Sequence, residues 1–155
     1  MSILLGPHPA DAATLVPRAS LAEYIEISPD ESVLLLTLSS EERSCEAPAT
    51  SSPDAISLSM RVALPAGSKL EAGAYPVIGA GQAPSRPHAL GTVKLKGRRR
   101  ELPAGGELLL SNIDASPQGT LEGVLKLEFT GDAQRPATRV SGRFLAHFCR
   151  VNRLR

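Results

Sequence analysis

Between Ile56 and Leu64 every second residue is apolar. Ile56, Leu58, Met60, Val62 and Leu64 alternate with Ser57, Ser59, Arg61 and Ala63, and Pro65-Ala66-Gly67 ends the run. A period of two sends one set of side chains to each face, so this segment predicts a half-buried strand. The spacing returns twice near the C-terminus. Leu121, Gly123, Leu125, Leu127 and Phe129 are set against Glu122, Val124, Lys126 and Glu128; Val140, Gly142, Phe144, Ala146 and Phe148 are set against Ser141, Arg143, Leu145 and His147. Residues 131–138 separate these two runs and are long enough for the loop of an antiparallel hairpin.

Residues 33–38 and 108–113 are apolar runs, the pattern of strands covered on both faces. Residues 74–78 and 91–95 are shorter strand candidates, separated by a Gly-, Pro- and Ala-rich stretch. Residues 19–27 fit either a helical turn or an N-terminal strand, and 41–53 read as a polar loop. Roughly seven or eight short strands, with turn signals about every ten residues, predict an all-β fold. The expected architecture is an antiparallel β-sandwich, with barrel-like closure as the alternative. Residues 1–155 read as a single domain, with an N-terminal extension over 1–13 and a basic C-terminal tail over 150–155.

Composition narrows the function classes. The 155 residues are near ordinary domain size, and 13 Gly with 13 Pro exclude a coiled coil. The five aromatics (two Tyr, three Phe, no Trp) imply an aliphatic core. They also argue against recognition of sugars or bases by stacking. No stretch reaches the roughly 18 apolar residues of a membrane-spanning helix. The apolar run Ile3-Leu4-Leu5 is too short for a signal-peptide core and has no basic cluster before it. The expectation is therefore a processed form of an exported protein, or a cytoplasmic one.

Net charge is +1, but it is unevenly spread. Residues 1–57 carry nine acids against two arginines, a balance of −7; residues 58–155 carry fifteen bases against seven acids, a balance of +8. Either strands of the two halves interleave and cancel in space, or the polarity serves self-association or a charged partner. The sharpest feature is Lys94, Lys96, Arg98, Arg99 and Arg100, which with Arg150, Arg153 and Arg155 could form a basic patch. It suits an anion, a membrane surface or nucleic acid; the plainer reading is a solvated hairpin tip and tail that guard sheet edges. No aromatic interleaves with these bases, so nucleic acid is not expected.

Catalytic constellations are thin. His8 lies between prolines, His88 follows Pro87, and only His147 stands near a nucleophile, two residues before Cys149. Strand residues two apart share a face, so a Cys–His pair is geometrically open, unless Cys149 is oxidised. Gly79-Ala80-Gly81 is followed by Pro84 and Pro87, which break the helix a dinucleotide site needs. The acidic pairs Asp30-Glu31 and Glu41-Glu42 are neighbours in loops and do not face each other across a cleft. No CxxC or calcium-loop motif is present, so neither a metal nor a cofactor is expected, and the chain reads as non-enzymatic. Cys45 and Cys149 leave two alternatives: one disulfide, or two unrelated thiols in a reducing compartment.

The order of motifs carries a resemblance. An apolar strand leads to Ser44-Cys45; then come Leu70-Glu71-Ala72-Gly73-Ala74-Tyr75, Gly119-Thr120-Leu121-Glu122-Gly123, and Val140-Ser141-Gly142-Arg143-Phe144 running through Ala146 to Cys149. This resembles the small β-sandwich domains of uncharacterised bacterial lipoproteins and secreted proteins. The resemblance implies a secreted or envelope-attached domain whose two cysteines pair, and it implies no activity. The leading functional expectation is an interaction or structural module of the bacterial envelope or an extracellular assembly, working through a protein partner or self-association. The alternatives are a cytoplasmic or particle-associated assembly subunit and a small-ligand-binding barrel.

Overall fold

Alternating residues become strands along most of the chain in the computed structural model, which describes residues 3–6, 13–15, 18–42, 44–46, 57–65, 69–79, 88–94, 100–101, 103–129 and 138–154. Among the described residues the strands are β1 (Ile3–Gly6), β2 (Ala13–Leu15), β3 (Ala19–Ser28), β4 (Glu31–Ser39), β5 (Ser57–Pro65) and β6 (Gly73–Ile78). They continue with β7 (His88–Lys94), β8 (Arg100–Glu101), β9 (Gly105–Ile113), β10 (Thr120–Phe129) and β11 (Thr138–Asn152). The ambiguous 19–27 segment is thus a strand.

Eight of these strands close on themselves, in the order β3-β4-β5-β7-β6-β9-β10-β11 and back to β3. Barrel closure, the alternative to an open sandwich, is therefore the observed architecture. Six of the eight junctions are antiparallel; β11–β3 and β6–β7 are parallel. These two parallel junctions divide the ring into two antiparallel sheets, β3-β4-β5-β7 and β6-β9-β10-β11. They also carry the fewest ladder pairs. The β6–β7 seam is the single pair Val77↔Ala89, and β11–β3 has five pairs with a break between Phe148 and Arg150. The β10–β11 ladder, by contrast, runs through ten consecutive pairs. These two parallel junctions depart from the antiparallel pairing expected throughout. Two antiparallel sheets that curl into one ring must meet in register somewhere, and here they meet with strands pointing the same way.

The interior follows the alternation read from sequence. Leu34, Leu36 and Leu38 of β4, Met60, Val62 and Leu64 of β5, Leu108 and Leu110 of β9, Leu121, Leu125 and Leu127 of β10, and Phe144, Ala146 and Phe148 of β11 belong to one buried cluster. Burying each such aliphatic side chain contributes about 1.5–3 kcal/mol. Val33, on the outer face of β4, is only 4% exposed, so β4 is covered on both faces at that position. Arg61 and Glu31 form an ion pair of 3.6 Å on that outer face.

Two local devices shape the wall. Gly123 pairs with Phe144 across β10–β11, and a Cβ on Gly123 would stand 2.7 Å from Phe144 Cζ, so the ring uses the space the glycine leaves. At the entry to β6, the Tyr75 hydroxyl donates to the Glu71 carbonyl (2.7 Å) and accepts from the Glu71 amide (3.3 Å). This is a tyrosine corner, with Leu70 packed against the core beside it.

Strands reach into both ends of the chain. Within the expected 1–13 extension, Ile3–Gly6 pairs antiparallel with β11 at Arg139–Gly142 and with β2. The expected 150–155 tail is strand as far as Asn152, because β11 keeps pairing with β3 beyond Cys149.

Candidate functional site

The two cysteines are bonded to each other, with Cα atoms 5.2 Å apart and a sequence separation of 104. Their placement follows from local structure. Cys149 is the extra residue where the β11–β3 register shifts: Phe148 pairs with Ala22 and Arg150 with Glu23. A bulge interrupts the in–out alternation of its strand. Phe148 is buried, Cys149 is half-buried, Arg150 is exposed, and Val151 packs back against the core. Two consecutive residues, Cys149 and Arg150, therefore lie on the outer side. Cys45 lies in an exposed turn after β4. Since β3 sits between β4 and β11, the bond ties the segment beyond β4 to β11 across β3, and so crosses one parallel seam.

Beyond the bulge, the C-terminal segment is held by β3 and by the β9–β10 turn. Arg150 pairs with Glu23 at 3.5 Å. The Leu154 amide donates to Glu26 Oε2 at 2.8 Å, and Arg153 donates to the Ala115 carbonyl at 3.0 Å. The Arg153 guanidinium also lies 5.6 Å from the centroid of the Tyr24 ring, which is only 7% exposed. Tyr24, in the segment whose pattern fits either a helical turn or a strand, is thus core beneath a cation. Its signal was parity with Ala22 along β3, hidden by the doubtful strand assignment there.

Among the described residues, the backbone positions of Lys94 and Arg100 lie apart from those of Arg150 and Arg153. Lys94 is in register with Ser57, Ser57 with Ser39, and Ser39 with Ala19 at the start of β3. Arg100 pairs opposite Lys94. Arg150 and Arg153 lie against Glu23 and Tyr24, farther along β3, and are occupied there. β7 and β11 lie four places apart in the ring of eight strands, so the two groups are carried on opposite parts of it. Lys96, Arg98, Arg99 and Arg155 lie outside the described residues.

Charge asymmetry is partly cancelled within the chain. Glu23 and Glu31 from the acidic first part pair with Arg150 and Arg61 from the basic remainder. All four side chains are substantially exposed, so each pair contributes about 0–1 kcal/mol.

The remaining sequence candidates do not converge. His147 is exposed and in register with Leu21, and the disulfide removes Cys149 as its nucleophile. His88 is half-buried at the start of β7, in register with Ala63. His8 lies outside the described residues, as do residues 80–83 of the GxG stretch. Gly79 itself packs against Ala104, whose carbonyl oxygen would stand 2.6 Å from an added Cβ. The Asp30 amide is taken up by Ser28 Oγ at 3.2 Å in the β3–β4 turn. Among the described residues no group of three or more His, Cys, Asp or Glu is placed to hold a metal ion, and no helix is long and apolar enough to cross a membrane. Comparison with protein-family models, curated proteins and solved structures finds no match.

Proposed function

We propose that this chain is a non-enzymatic interaction or structural module of the bacterial envelope or of an extracellular assembly, similar to the small β-domains of lipoproteins and secreted proteins. The observation that carries this reading is the Cys45–Cys149 disulfide, whose Cys45 end is exposed to solvent. Reducing compartments keep accessible cysteines as thiols, so the bond supports a secreted or envelope location. The barrel interior is occupied by large side chains from both sheets, among them Leu34, Met60, Leu108, Leu125 and Phe144. Recognition then falls to the outer faces, the loops and the strand edges. A protein partner or a second copy suits such a surface better than a small substrate does.

The test is the thiol state of freshly isolated native protein, read by intact mass after alkylation with and without prior reduction, together with fractionation of the source cells. The expected result is no alkylation until a reductant is added, in an extracytoplasmic fraction. Two thiols alkylated without reductant, in a cytosolic fraction, would favour the cytoplasmic assembly subunit instead.

A further inference from the structure

We infer that the Cys45–Cys149 bond is a redox clasp: an external dithiol opens it, and opening frees the β3–β11 seam while the two antiparallel sheets stay folded. This goes beyond the envelope reading and rests only on the bond and its surroundings.

Three observations point the same way. First, the bond is accessible, and unequally so. Cys45 is exposed in a turn, whereas Cys149 is half-buried at a bulge. A thiolate therefore meets Cys45 Sγ first. Second, the bond crosses a seam whose ladder is short and broken. Five parallel pairs, interrupted at Cys149, join β11 to β3, and parallel pairs are slightly less stable per residue than antiparallel ones. Outside the barrel its polar ties are exposed: the Arg150–Glu23 pair has side chains 57% and 37% exposed, and the Leu154–Glu26 hydrogen bond is exposed as well. Inside, Ala22 and Tyr24 of β3 and Phe148 and Val151 of β11 belong to the common core. Third, the flanking ladders do not depend on the bond. β4–β5 has nine consecutive pairs and β10–β11 has ten, each lined inside by buried leucines. A short, broken ladder between two longer ones, closed by an exposed reducible bond, is a two-state element that thiol chemistry can bias.

The chemistry balances with a dithiol as reductant. Its first thiolate attacks Cys45 Sγ; the Cys45–Cys149 bond breaks as a mixed disulfide forms on Cys45, and Cys149 leaves as a thiolate that takes up a proton. The second thiol of the reductant then displaces the Cys45 sulfur, which is protonated in turn. Two electrons have passed: the protein carries two thiols and the reductant has become a disulfide.

Hydrogen–deuterium exchange on the full chain tests this, with the wild type oxidised, the wild type reduced by dithiothreitol and then alkylated, and the Cys45→Ser/Cys149→Ser variant. In the reduced wild type, protection is expected to fall at least about tenfold in peptides covering 21–25 and 147–152, while 58–64 and 121–127 keep theirs. Unchanged exchange across the seam would overturn the clasp, and so would an equal loss of protection everywhere, which is global unfolding. The double variant, which lacks the bond, should match the reduced wild type at the seam with or without dithiothreitol; a seam protected there as in the oxidised protein would also overturn the clasp. The wild-type comparison stands even if that variant does not fold. The order of attack is read separately by trapping with glutathione: adducts on Cys45 support it, and adducts confined to Cys149 refute it.

Discussion

The Tyr75 hydroxyl lies 2.7 Å from the carbonyl oxygen of Glu71, four residues before it. That bond pins the loop entering β6 to the strand it becomes, next to the seam where only Val77 and Ala89 pair. Burial raises the Tyr75 hydroxyl above its ordinary 10.0; the backbone bond to Glu71 opposes this and the Glu71 charge adds to it. The folded state thus prefers the protonated phenol. Its contribution to stability is complete below the unfolded value and is lost as pH rises through the higher folded one. Tyr75→Phe is expected to lower stability by about 1–2 kcal/mol at neutral pH. It should also remove part of the alkaline loss. Urea unfolding of both proteins at pH 8 and near pH 11 checks both statements; parallel pH profiles would contradict the second.

Gly123→Ala places a methyl group against the Phe144 ring and the β9 backbone. Overpacking of this kind costs about 1–3 kcal/mol. The ring can yield but the backbone cannot, so Phe144→Leu should recover only part of the loss in a double-mutant cycle. Strict additivity would show that the ring and the glycine do not share that space.

Val151→Asp tests the bulge. The register break returns Val151 to the core side, so a carboxylate there should destabilise the barrel by about 1–3 kcal/mol. Arg150→Ala, one residue earlier and exposed, should change stability by less than about 1 kcal/mol. Thermal melts of the two variants separate a strand from a free tail; equal effects would favour the tail.

Arg153→Ala loses a cation over the Tyr24 ring and a bond to the Ala115 carbonyl. A loss of about 0.5–1.5 kcal/mol is expected. Arg153→Met, which keeps the apolar stem, should restore little of it. Chemical denaturation reads the difference, and full recovery by Met would assign the effect to packing alone.

Much of the wall was legible in residue order. The inward residues of β10 and β11, from Leu121 to Phe148, follow a period of two because a strand with one buried face admits nothing else. β3 was harder to read. Its outward positions hold Leu21 and Ile25 among acids, which blurs the alternation. The bulge at Cys149 was invisible, since nothing in Phe148-Cys149-Arg150-Val151 marks which residue will lack a partner.

Residue order alone specifies an all-β chain, an aliphatic core and the parity of most strands, because those are properties of neighbours along the chain. It holds two cysteines without saying whether they meet. Closure into a barrel, the two parallel seams, the separation of Lys94 and Arg100 from Arg150 and Arg153, and the bond from Cys45 to Cys149 arise in the folded chain. Each of these depends on which strands lie side by side. That is a contest among distant segments over one shared core, and local alternation does not encode its outcome.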